Sequence, residues 1–294
     1  MKDELKGLET IDTSFFSNTD FSAFRQDMKQ AEVDKGKKII DIRRDLTDFT
    51  ERIYKQPKQL VYQKYMGEER KLNPALLNIA KSFFVPPDFD TAESMFIEFM
   101  EDPDYGMVSS QNNARYVGRY VYPVQGFYGE VIGMIGYDKE YEPKYLRSNT
   151  LGFNKELMFY GMHMMKMFYD KGYIIVNEGI VDTLWGWSID EPFMGLCGDS
   201  LSEFVIRILE RFGYFTLLIP DNDEAGHKAY NNKWKKRLPK ASVLHIKDYK
   251  DIDDWRKGML QQGMPNEEIE LQLKNVIEQF KASASIRVPI TLYL

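Results

Sequence analysis

Three pairs of acidic residues in this sequence have the spacing of side chains that act together on one site. Two pairs are separated by a single residue and the third by three residues. Residues i and i+2 of an extended segment point the same way, about 6.5–7 Å apart, and residues i and i+4 share one face of a helix. The six carboxylates are Glu178 and Asp182, Asp221 and Asp223, and Asp251 and Asp253.

Six carboxylates gathered at one place would repel each other, so they would either raise one another's pKa values or bind cations. Hard oxygen ligands favour Mg²⁺ or Mn²⁺. Two such ions can activate an attacking hydroxyl and stabilise the leaving oxygen in phosphoryl transfer. A single acidic pair would more often cap a helix, whereas three pairs in equivalent positions predict a site for two or more Mg²⁺ or Mn²⁺ ions.

The bulk composition excludes several other classes of protein. No zinc is expected, because the chain has one cysteine, Cys197, and three histidines without zinc-binding spacing. The formal net charge of −6 gives no overall basic field, so contact with a polyanion would depend on local basic patches or bound cations. No signal peptide or transmembrane stretch is apparent in the sequence, which favours a cytoplasmic protein with no membrane partner.

Alternating strand and helix patterns in the second half of the chain would bring the three acidic pairs together. Short apolar runs at residues 173–177, 192–196, 215–219 and 242–246 alternate with helix-like segments. This order predicts an α/β fold with about four parallel strands, buried on both faces and joined by right-handed crossovers. An acidic pair follows the first, third and fourth runs, at the sheet edge where such folds bind ligands.

The first part of the chain has a different character. Its apolar residues recur every three or four positions, which predicts mainly helical structure. Two β-branched and aromatic runs, Tyr116–Pro123 and Glu130–Tyr137, then predict a hairpin in an α+β region. Glu267–Lys281 is helix-like, and Ile286–Leu294 is apolar and β-leaning without an assigned role. The predicted divisions are a helical region over 1–105, an α+β subdomain over 106–170, a metal-binding domain over 171–256 and a helical tail over 257–294.

The acidic motifs, with the residues around them, resemble those of the Toprim domain. The matching segments are Asn177-Glu178-Gly179 with Asp182, then Asp221-Asn-Asp223-Glu-Ala-Gly226, then Lys250-Asp251-Ile-Asp253. Toprim domains occur in bacterial-type, DnaG-like primases, in type IA and type II topoisomerases and in some small nucleases. The resemblance implies a Rossmann-like sheet whose rim holds divalent metal ions.

A second segment is similar to the subdomain that precedes Toprim in DnaG-like primases and that the topoisomerases and small nucleases lack. It runs from Arg115-Tyr-Val-Gly-Arg119 through Gly129-Glu-Val-Ile-Gly133 and Pro143-Lys-Tyr-Leu146 to Asn154-Lys155 and Tyr160-Gly161. The two resemblances together span about residues 106–260. They imply the catalytic core of a DNA primase, a nucleotidyltransferase that makes short RNA primers on single-stranded DNA from ribonucleoside triphosphates.

The resemblance also implies a role for each matching residue. The catalytic residues would be Glu178, Asp182, Asp221 and Asp223. The divalent metals would be held by Glu178, Asp221, Asp223, Asp251 and Asp253. Phosphates attract Lys and Arg side chains, and a tyrosine ring offers a stacking face for a base. The nucleotide and DNA contacts would come from Arg115, Arg119, Lys144, Tyr145 and Lys155.

The sequence departs from these primases in three respects. One cysteine cannot build the N-terminal zinc ribbon that they usually carry, so that module is either lost, supplied by another chain or not needed. The candidate protein partners are a replicative helicase or a separate zinc-binding or accessory chain. Only about 40 residues follow Asp254, too few for a helicase-binding domain, and this compact size suggests a phage or other mobile element acting in a bacterial cytoplasm. Ile135-Gly136-Tyr137 stands where the family usually has Gly-Gly-Arg.

Two alternatives to priming stay open. A Toprim metal-dependent nuclease would use the same carboxylates to cut phosphodiesters. A primase-derived DNA-binding protein would keep the fold with little catalysis. The segment between Tyr116 and Lys155 favours priming over cutting, and the complete set of carboxylates disfavours a purely binding role.

Overall fold

The computed structural model describes residues 37–56, 59, 62, 64–73, 76–109, 113–138, 143–196 and 201–294. Their strands form a four-stranded antiparallel sheet and a five-stranded parallel sheet. The helical structure expected for residues 1–36 lies outside the described residues. So does Cys197, which the sequence predicts to be a small core residue in a strand.

The antiparallel sheet has the order β1-β2-β3-β4. Its strands are β1 (Phe83–Phe84), β2 (Tyr120–Gln125), β3 (Val131–Tyr137) and β4 (Tyr145–Arg147). β2 and β3 pair from Tyr120 opposite Tyr137 to Gln125 opposite Val131, as the predicted hairpin requires. The helices before and beside this sheet are α1 (Lys37–Ile53), a π-helical turn (Tyr65–Glu69), α2 (Leu76–Ala80), α3 (Phe89–Phe96) and short 3₁₀ turns at Ile97–Phe99 and Pro103–Tyr105.

Helix α1 covers one face of the antiparallel sheet because its apolar residues form a single stripe. Ile39, Ile42, Leu46, Phe49 and Ile53 recur at intervals of three or four residues, and all are buried. The stripe packs against β3. This periodicity is the one from which the sequence predicted helical structure in the first third of the chain.

The parallel sheet has the order β6-β5-β7-β8-β9. Its strands are β5 (Ile174–Asn177), β6 (Phe193–Gly195), β7 (Thr216–Ile219), β8 (Ser242–His245) and β9 (Thr291–Tyr293). The four strands predicted from the apolar runs are confirmed. β9 pairs with β8 and adds a fifth strand, built from the β-leaning terminal residues that had no assigned role.

Helices alternate with the strands of the parallel sheet, as predicted. They are α4 (Met165–Lys171), α5 (Ile180–Ser188), α6 (Glu203–Phe212), α7 (Glu224–Ala229), α8 (Lys235–Arg237), α9 (Ile252–Gln261) and α10 (Asn266–Ser285), with a π-helical turn at Tyr230–Trp234 and 3₁₀ turns at Lys155–Leu157, Met162–Met164 and Gly213–Phe215. Every residue of β5 and β7 is buried, which explains why these strands are almost entirely apolar. No helix within the described ranges has the length and apolar character needed to cross a lipid bilayer.

The two sheets share one hydrophobic core. Tyr122 and Ile135 of the antiparallel sheet belong to the same buried cluster as Ile175 and Leu217 of the parallel sheet. A second cluster lies between α1, α3 and the antiparallel sheet. Because the larger core runs through both sheets, the space between their edges has fixed walls. The predicted domain divisions at residues 105, 170 and 256 stay predictions.

Candidate metal and nucleotide site

A cleft of about 630 Å³ lies between the edges of the two sheets. Acidic residues from the carboxyl ends of the parallel strands line one side. Basic and aromatic residues from the antiparallel sheet and its preceding turn line the other. The polar and aromatic lining residues are Tyr65, Glu69, Arg70, Tyr137, Lys144, Tyr145, Arg147, Glu178, Asp182, Asp221, Lys250, Asp251, Asp253, Asp254 and Lys257.

The first acidic pair spans the start of α5, with Glu178 in the turn after β5 and Asp182 in the first turn of the helix. Gly179 is required there by space, because a Cβ atom at this position would lie 2.0 Å from Oδ2 of Asp182. Asn177 ends β5 and donates from Nδ2 to the carbonyl oxygen of Gly179 over 2.5 Å. The tight turn directs Glu178 toward the neighbouring strand, where its Oε1 accepts from the backbone N–H of Asp221 over 3.2 Å.

The second and third pairs follow β7 and β8, as predicted. Asp223 caps α7 by accepting from the backbone N–H of Gly226, and Asp251 caps α9 by accepting from that of Asp254, both over 2.8 Å. The two loops are joined by Asn222, whose backbone N–H donates to the carbonyl oxygen of Lys250 over 2.6 Å. The three acidic pairs therefore lie on one rim, and all of their members except Asp223 line the cleft itself.

Crowding and burial perturb the ionisation of these carboxyls. Burial, and then the carboxylate of Asp221, raise the pKa of Glu178 to about 7. Burial and the neighbouring carboxylates raise the pKa of Asp251 to about 6. Burial is also the main cause of the raised pKa values of Asp221 and Asp182. Groups of this kind ionise more readily when a cation approaches, as expected of metal ligands before the metal binds.

One cation of the chain already lies among the acids. The ammonium Nζ of Lys250 is 3.1 Å from Oδ2 of Asp221, 3.8 Å from Oδ2 of Asp223 and 4.0 Å from Oδ2 of Asp251. Among the described residues, no three His, Cys, Asp or Glu side chains are placed so as to hold a metal ion. Hard oxygen donors around a positive charge suit a divalent cation, so the donor set fits, although its present arrangement is built around an ammonium.

Asp253 has contacts that favour a different role from the predicted metal ligand. Its Oδ1 accepts from Nη2 of Arg256 over 2.8 Å, and its Oδ2 accepts from Nη1 of Arg70 over 2.6 Å. The ammonium of Lys257 also contacts Oδ2. These cations outweigh the effect of burial and lower the pKa of Asp253 below its ordinary value. Both oxygens are therefore occupied by side chains of the protein.

The Asp253 network orients a member of the first acidic pair. The backbone N–H of Asp253 donates to Oδ1 of Asp182 over 2.8 Å. Arg256 is fully buried, and its guanidinium also donates to the backbone carbonyl oxygen of Arg70. Arg70 in turn donates from Nε to the Tyr65 hydroxyl over 2.6 Å. A chain of polar contacts thus joins the segment before the antiparallel sheet to the acidic rim.

The sequence analysis missed Arg70, Arg256 and Lys257 as site residues. Part of the signal was available, because Arg256 and Lys257 follow Asp253 at the i+3 and i+4 positions of a helix. Arg70 also stands beside Tyr137, the residue at which the sequence departs from the Gly-Gly-Arg of the family it resembles. Its Nη2 lies 3.4 Å from the Tyr137 hydroxyl, so a guanidinium is present at that place from another part of the chain.

Lys144 and Tyr145 line the cleft, and Arg147 on the same strand does so as well. The Tyr145 side chain is 44% exposed, and its ring centroid is 5.0 Å from that of Tyr137. An exposed ring between two basic side chains can stack on a base while the cations contact phosphates. Arg147 was not predicted, although residues i and i+2 of a strand point to the same side.

The other three predicted nucleic-acid contacts lie elsewhere. Arg119 is buried and donates from Nη1 to the backbone carbonyl oxygens of Pro143 and Lys144, over 3.0 and 3.1 Å. Arg115 donates from Nη2 to the carbonyl oxygen of Arg147 over 2.8 Å. Both therefore support the strand that carries the basic wall. Lys155 is exposed, lies 3.9 Å from a carboxylate oxygen of Glu156 and does not line the cleft.

Comparison with known proteins agrees with this architecture. Residues 175–255 match the Toprim-like family model. The DNA primase of Buchnera aphidicola subsp. Acyrthosiphon pisum (strain APS) is 32% identical over 133 residues, which make up 44% of this chain and 23% of that protein. The chain therefore spans less than a quarter of the length of this curated relative.

Solved primase structures have the same fold. A DnaG primase catalytic domain bound to single-stranded DNA matches with a TM-score of 0.64 at 22% identity, over 87% of this chain and 83% of that one. The E. coli primase catalytic core matches with a TM-score of 0.61 at 21% identity, over 85% and 92% of the two chains. The chain thus has the fold of the DnaG-type primase catalytic core, with an antiparallel-sheet subdomain before a five-stranded Toprim-like sheet.

Proposed function

We propose that this chain, which has the fold of the DnaG-type primase catalytic core, is the nucleotidyl-transfer core of a DNA primase. The observation that carries the proposal is the composition of one cleft, with a rim of carboxylates on one side and Lys144, Tyr145 and Arg147 on the other. The first side suits divalent cations, and the second suits a phosphate backbone with bases. A similar catalytic domain binds single-stranded DNA, and a relative of part of this chain is a DNA primase.

The acidic rim divides into residues that would hold metal and residues that position them. Glu178, Asp221, Asp223 and Asp251 would hold two or more Mg²⁺ or Mn²⁺ ions. These ions would supply charge for the attacking hydroxyl and the leaving pyrophosphate. Glu178 would act either as one of these metal ligands or as the general base for the primer 3′-hydroxyl. Asp182 would orient the rim through its bond to the Asp253 backbone.

The substrates would be ribonucleoside triphosphates and a single-stranded DNA template. Lys144 and Arg147 would contact phosphates, and Tyr145 would stack on a base. Arg115 and Arg119 would act indirectly, because they hold the backbone of residues 143, 144 and 147. The predicted helicase, zinc-binding or accessory chain, phage origin and bacterial cytoplasmic location stay predictions.

A primer-synthesis assay tests the proposal. The protein would be incubated with single-stranded DNA, labelled ribonucleoside triphosphates and Mg²⁺ or Mn²⁺, with Glu178→Gln as the matched inactive control. Template-dependent RNA oligomers of a few to a dozen nucleotides, absent with the variant and with EDTA, are the expected result. Degraded template without RNA would identify a metal-dependent nuclease. DNA binding without either reaction would identify a catalytically weak DNA-binding protein.

Removal of Lys144 and Arg147 is expected to weaken DNA binding without unfolding the chain. Both side chains are exposed on the cleft wall, so the double variant Lys144→Ala/Arg147→Ala should lose phosphate contacts alone. The salt dependence of single-stranded DNA affinity should fall in slope by about 0.7 for each lost contact. Fluorescence anisotropy across a salt series measures this slope.

Lys155→Ala is the matched control for that measurement, because Lys155 is equally exposed but does not line the cleft. Its affinity and salt slope should equal those of the unmodified chain. An effect of Lys155→Ala as large as that of the double variant would mean that DNA follows another surface.

A further inference from the structure

Lys250 holds a position within the acidic rim that no role yet accounts for. It lies in the loop between β8 and α9, and its ammonium reaches carboxylates from two different loops. Its distances of 3.1 to 4.0 Å to Asp221, Asp223 and Asp251 place one positive charge among three acids. This is the place where a divalent cation shared by the same three carboxylates would be held.

When no metal is bound, the other cations of the cleft do not neutralise the three acids that Lys250 contacts. The guanidiniums of Arg70 and Arg256 and the ammonium of Lys257 contact Asp253. Among the ion pairs of the described residues, Lys250 is thus the cation that contacts Asp221, Asp223 and Asp251.

The Lys250 side chain is also free to leave. Its backbone is fixed, because its carbonyl oxygen accepts from the N–H of Asn222 over 2.6 Å. The side chain is 51% exposed, whereas those of Asp221 and Asp251 are 15% and 22% exposed. A flexible four-carbon stem can therefore swing its ammonium into solvent or across the cleft without disturbing the core.

We propose that Lys250 is a tethered counter-ion that occupies a metal position in the metal-free chain and is displaced when divalent cations bind. The inference rests on the proposed function, because it assumes that these acids bind metal. The need to displace Lys250 lowers the apparent metal affinity, because each incoming cation must compete with an ammonium that is tethered beside the carboxylates. The released ammonium stays in the cleft, where the phosphates of a bound nucleotide can receive it.

The test is a titration of the whole chain with Mn²⁺, without DNA or nucleotide. Electron paramagnetic resonance reports the free Mn²⁺, and thermal unfolding in EDTA reports the metal-free fold. Lys250→Met removes the charge and keeps the length of the side chain. We expect it to bind Mn²⁺ on the order of tenfold more tightly or better, and to unfold about 2–4 °C lower without metal, because the acids lose their counter-ion.

Two further variants separate the effect of losing a positive charge at position 250 from the effect of losing one elsewhere or of changing the side chain. Lys155→Met removes an exposed ammonium that does not line the cleft, so its Mn²⁺ affinity should match that of the unmodified chain. Lys250→Arg keeps the charge and should bind Mn²⁺ as weakly as the unmodified chain. It also shows that position 250 can be changed without unfolding.

An unchanged or weaker Mn²⁺ affinity of Lys250→Met would overturn the proposal, as would equal tightening by Lys155→Met. The titration uses no primer synthesis, so the two hypotheses fail separately. Tighter Mn²⁺ binding by Lys250→Met, in a chain that makes no RNA, would support the counter-ion role of Lys250 and contradict the primase function. Primer synthesis with unchanged Mn²⁺ affinity in Lys250→Met would do the reverse.

Discussion

Glu178→Gln is expected to lower nucleotidyl transfer by about 10²–10⁴-fold while the chain remains folded. The amide keeps the shape of the carboxyl group and can still accept from the backbone N–H of Asp221. It cannot accept a proton at neutral pH or supply negative charge to a divalent cation. Rates of labelled RNA formation on single-stranded DNA measure the loss. Activity within a few-fold of the unmodified chain would remove Glu178 from the catalytic site.

The same variant has a distinct stability signature in EDTA. The Glu178 carboxyl has a pKa of about 7 in the folded chain, above its ordinary value of 4.5. The folded state therefore holds this proton more tightly, and the charge on Glu178 costs stability as the pH rises from about 4.5 through about 7. The cost is fully present above that range, and Glu178→Gln removes it.

Glu178→Gln should thus be as stable as the unmodified chain near pH 4.5 and more stable by about 1–2 kcal/mol above pH 7, after allowance for solvent screening. Urea unfolding at several pH values in EDTA measures the difference between the two chains. Taking the difference cancels the opposite contribution of His163, whose pKa burial lowers to about 4. A gap that shrinks as the pH rises would contradict the assigned ionisation of Glu178.

Arg256→Met is expected to have the largest effect on the free energy of unfolding, a loss of about 3–5 kcal/mol. Methionine fills much of the same space but leaves one oxygen of the buried Asp253 carboxylate without its guanidinium partner. The backbone carbonyl oxygen of Arg70 loses a donor as well. Urea unfolding in EDTA gives the magnitude directly.

Lys257→Met is the matched control, because Lys257 contacts the same Asp253 carboxylate with a side chain that is 31% exposed. Partial exposure limits its expected cost to about 1 kcal/mol or less. A loss below about 1 kcal/mol for Arg256→Met would show that Asp253 is solvated or paired by other means.

The sequence was sufficient to predict the acidic rim, because each step of that inference is local. Apolar runs identify the strands, and Asp221 and Asp251 come shortly after two of them. Parallel strands place their carboxyl ends on one edge, so no distant contact had to be guessed. The hairpin of β2 and β3 followed from the same kind of pattern.

The role of Asp253 could not be inferred in this way. Its partner Arg70 lies 183 residues earlier in the chain, in a segment without a recognisable motif. Residue spacing alone predicts that Asp253 lies beside Asp251 and that both side chains point the same way, as they would in an extended segment. The helix α9 begins at Ile252 instead, so Asp251 caps the helix, whereas Asp253 lines the cleft with both oxygens bound to arginines.

Arg119 shows a second limit of sequence reasoning. A basic residue in a segment similar to a nucleic-acid-binding subdomain is naturally interpreted as a phosphate contact. The guanidinium of Arg119 is buried and donates to the carbonyl oxygens of Pro143 and Lys144. These hydrogen bonds hold β4 in place. The register of the neighbouring strands decides whether a charged side chain contacts solvent or backbone atoms. Amino-acid composition does not reveal that register.

The hydrophobic core shared by the two sheets makes the cleft a cooperative property of the fold. Tyr122 and Ile135 on one side and Ile175 and Leu217 on the other belong to one buried cluster. We expect the acidic side and the basic side to unfold together, because opening either one exposes the common interior to water. A ligand that binds in the cleft would thus meet a preorganised surface, and little of its binding free energy would go into ordering the protein.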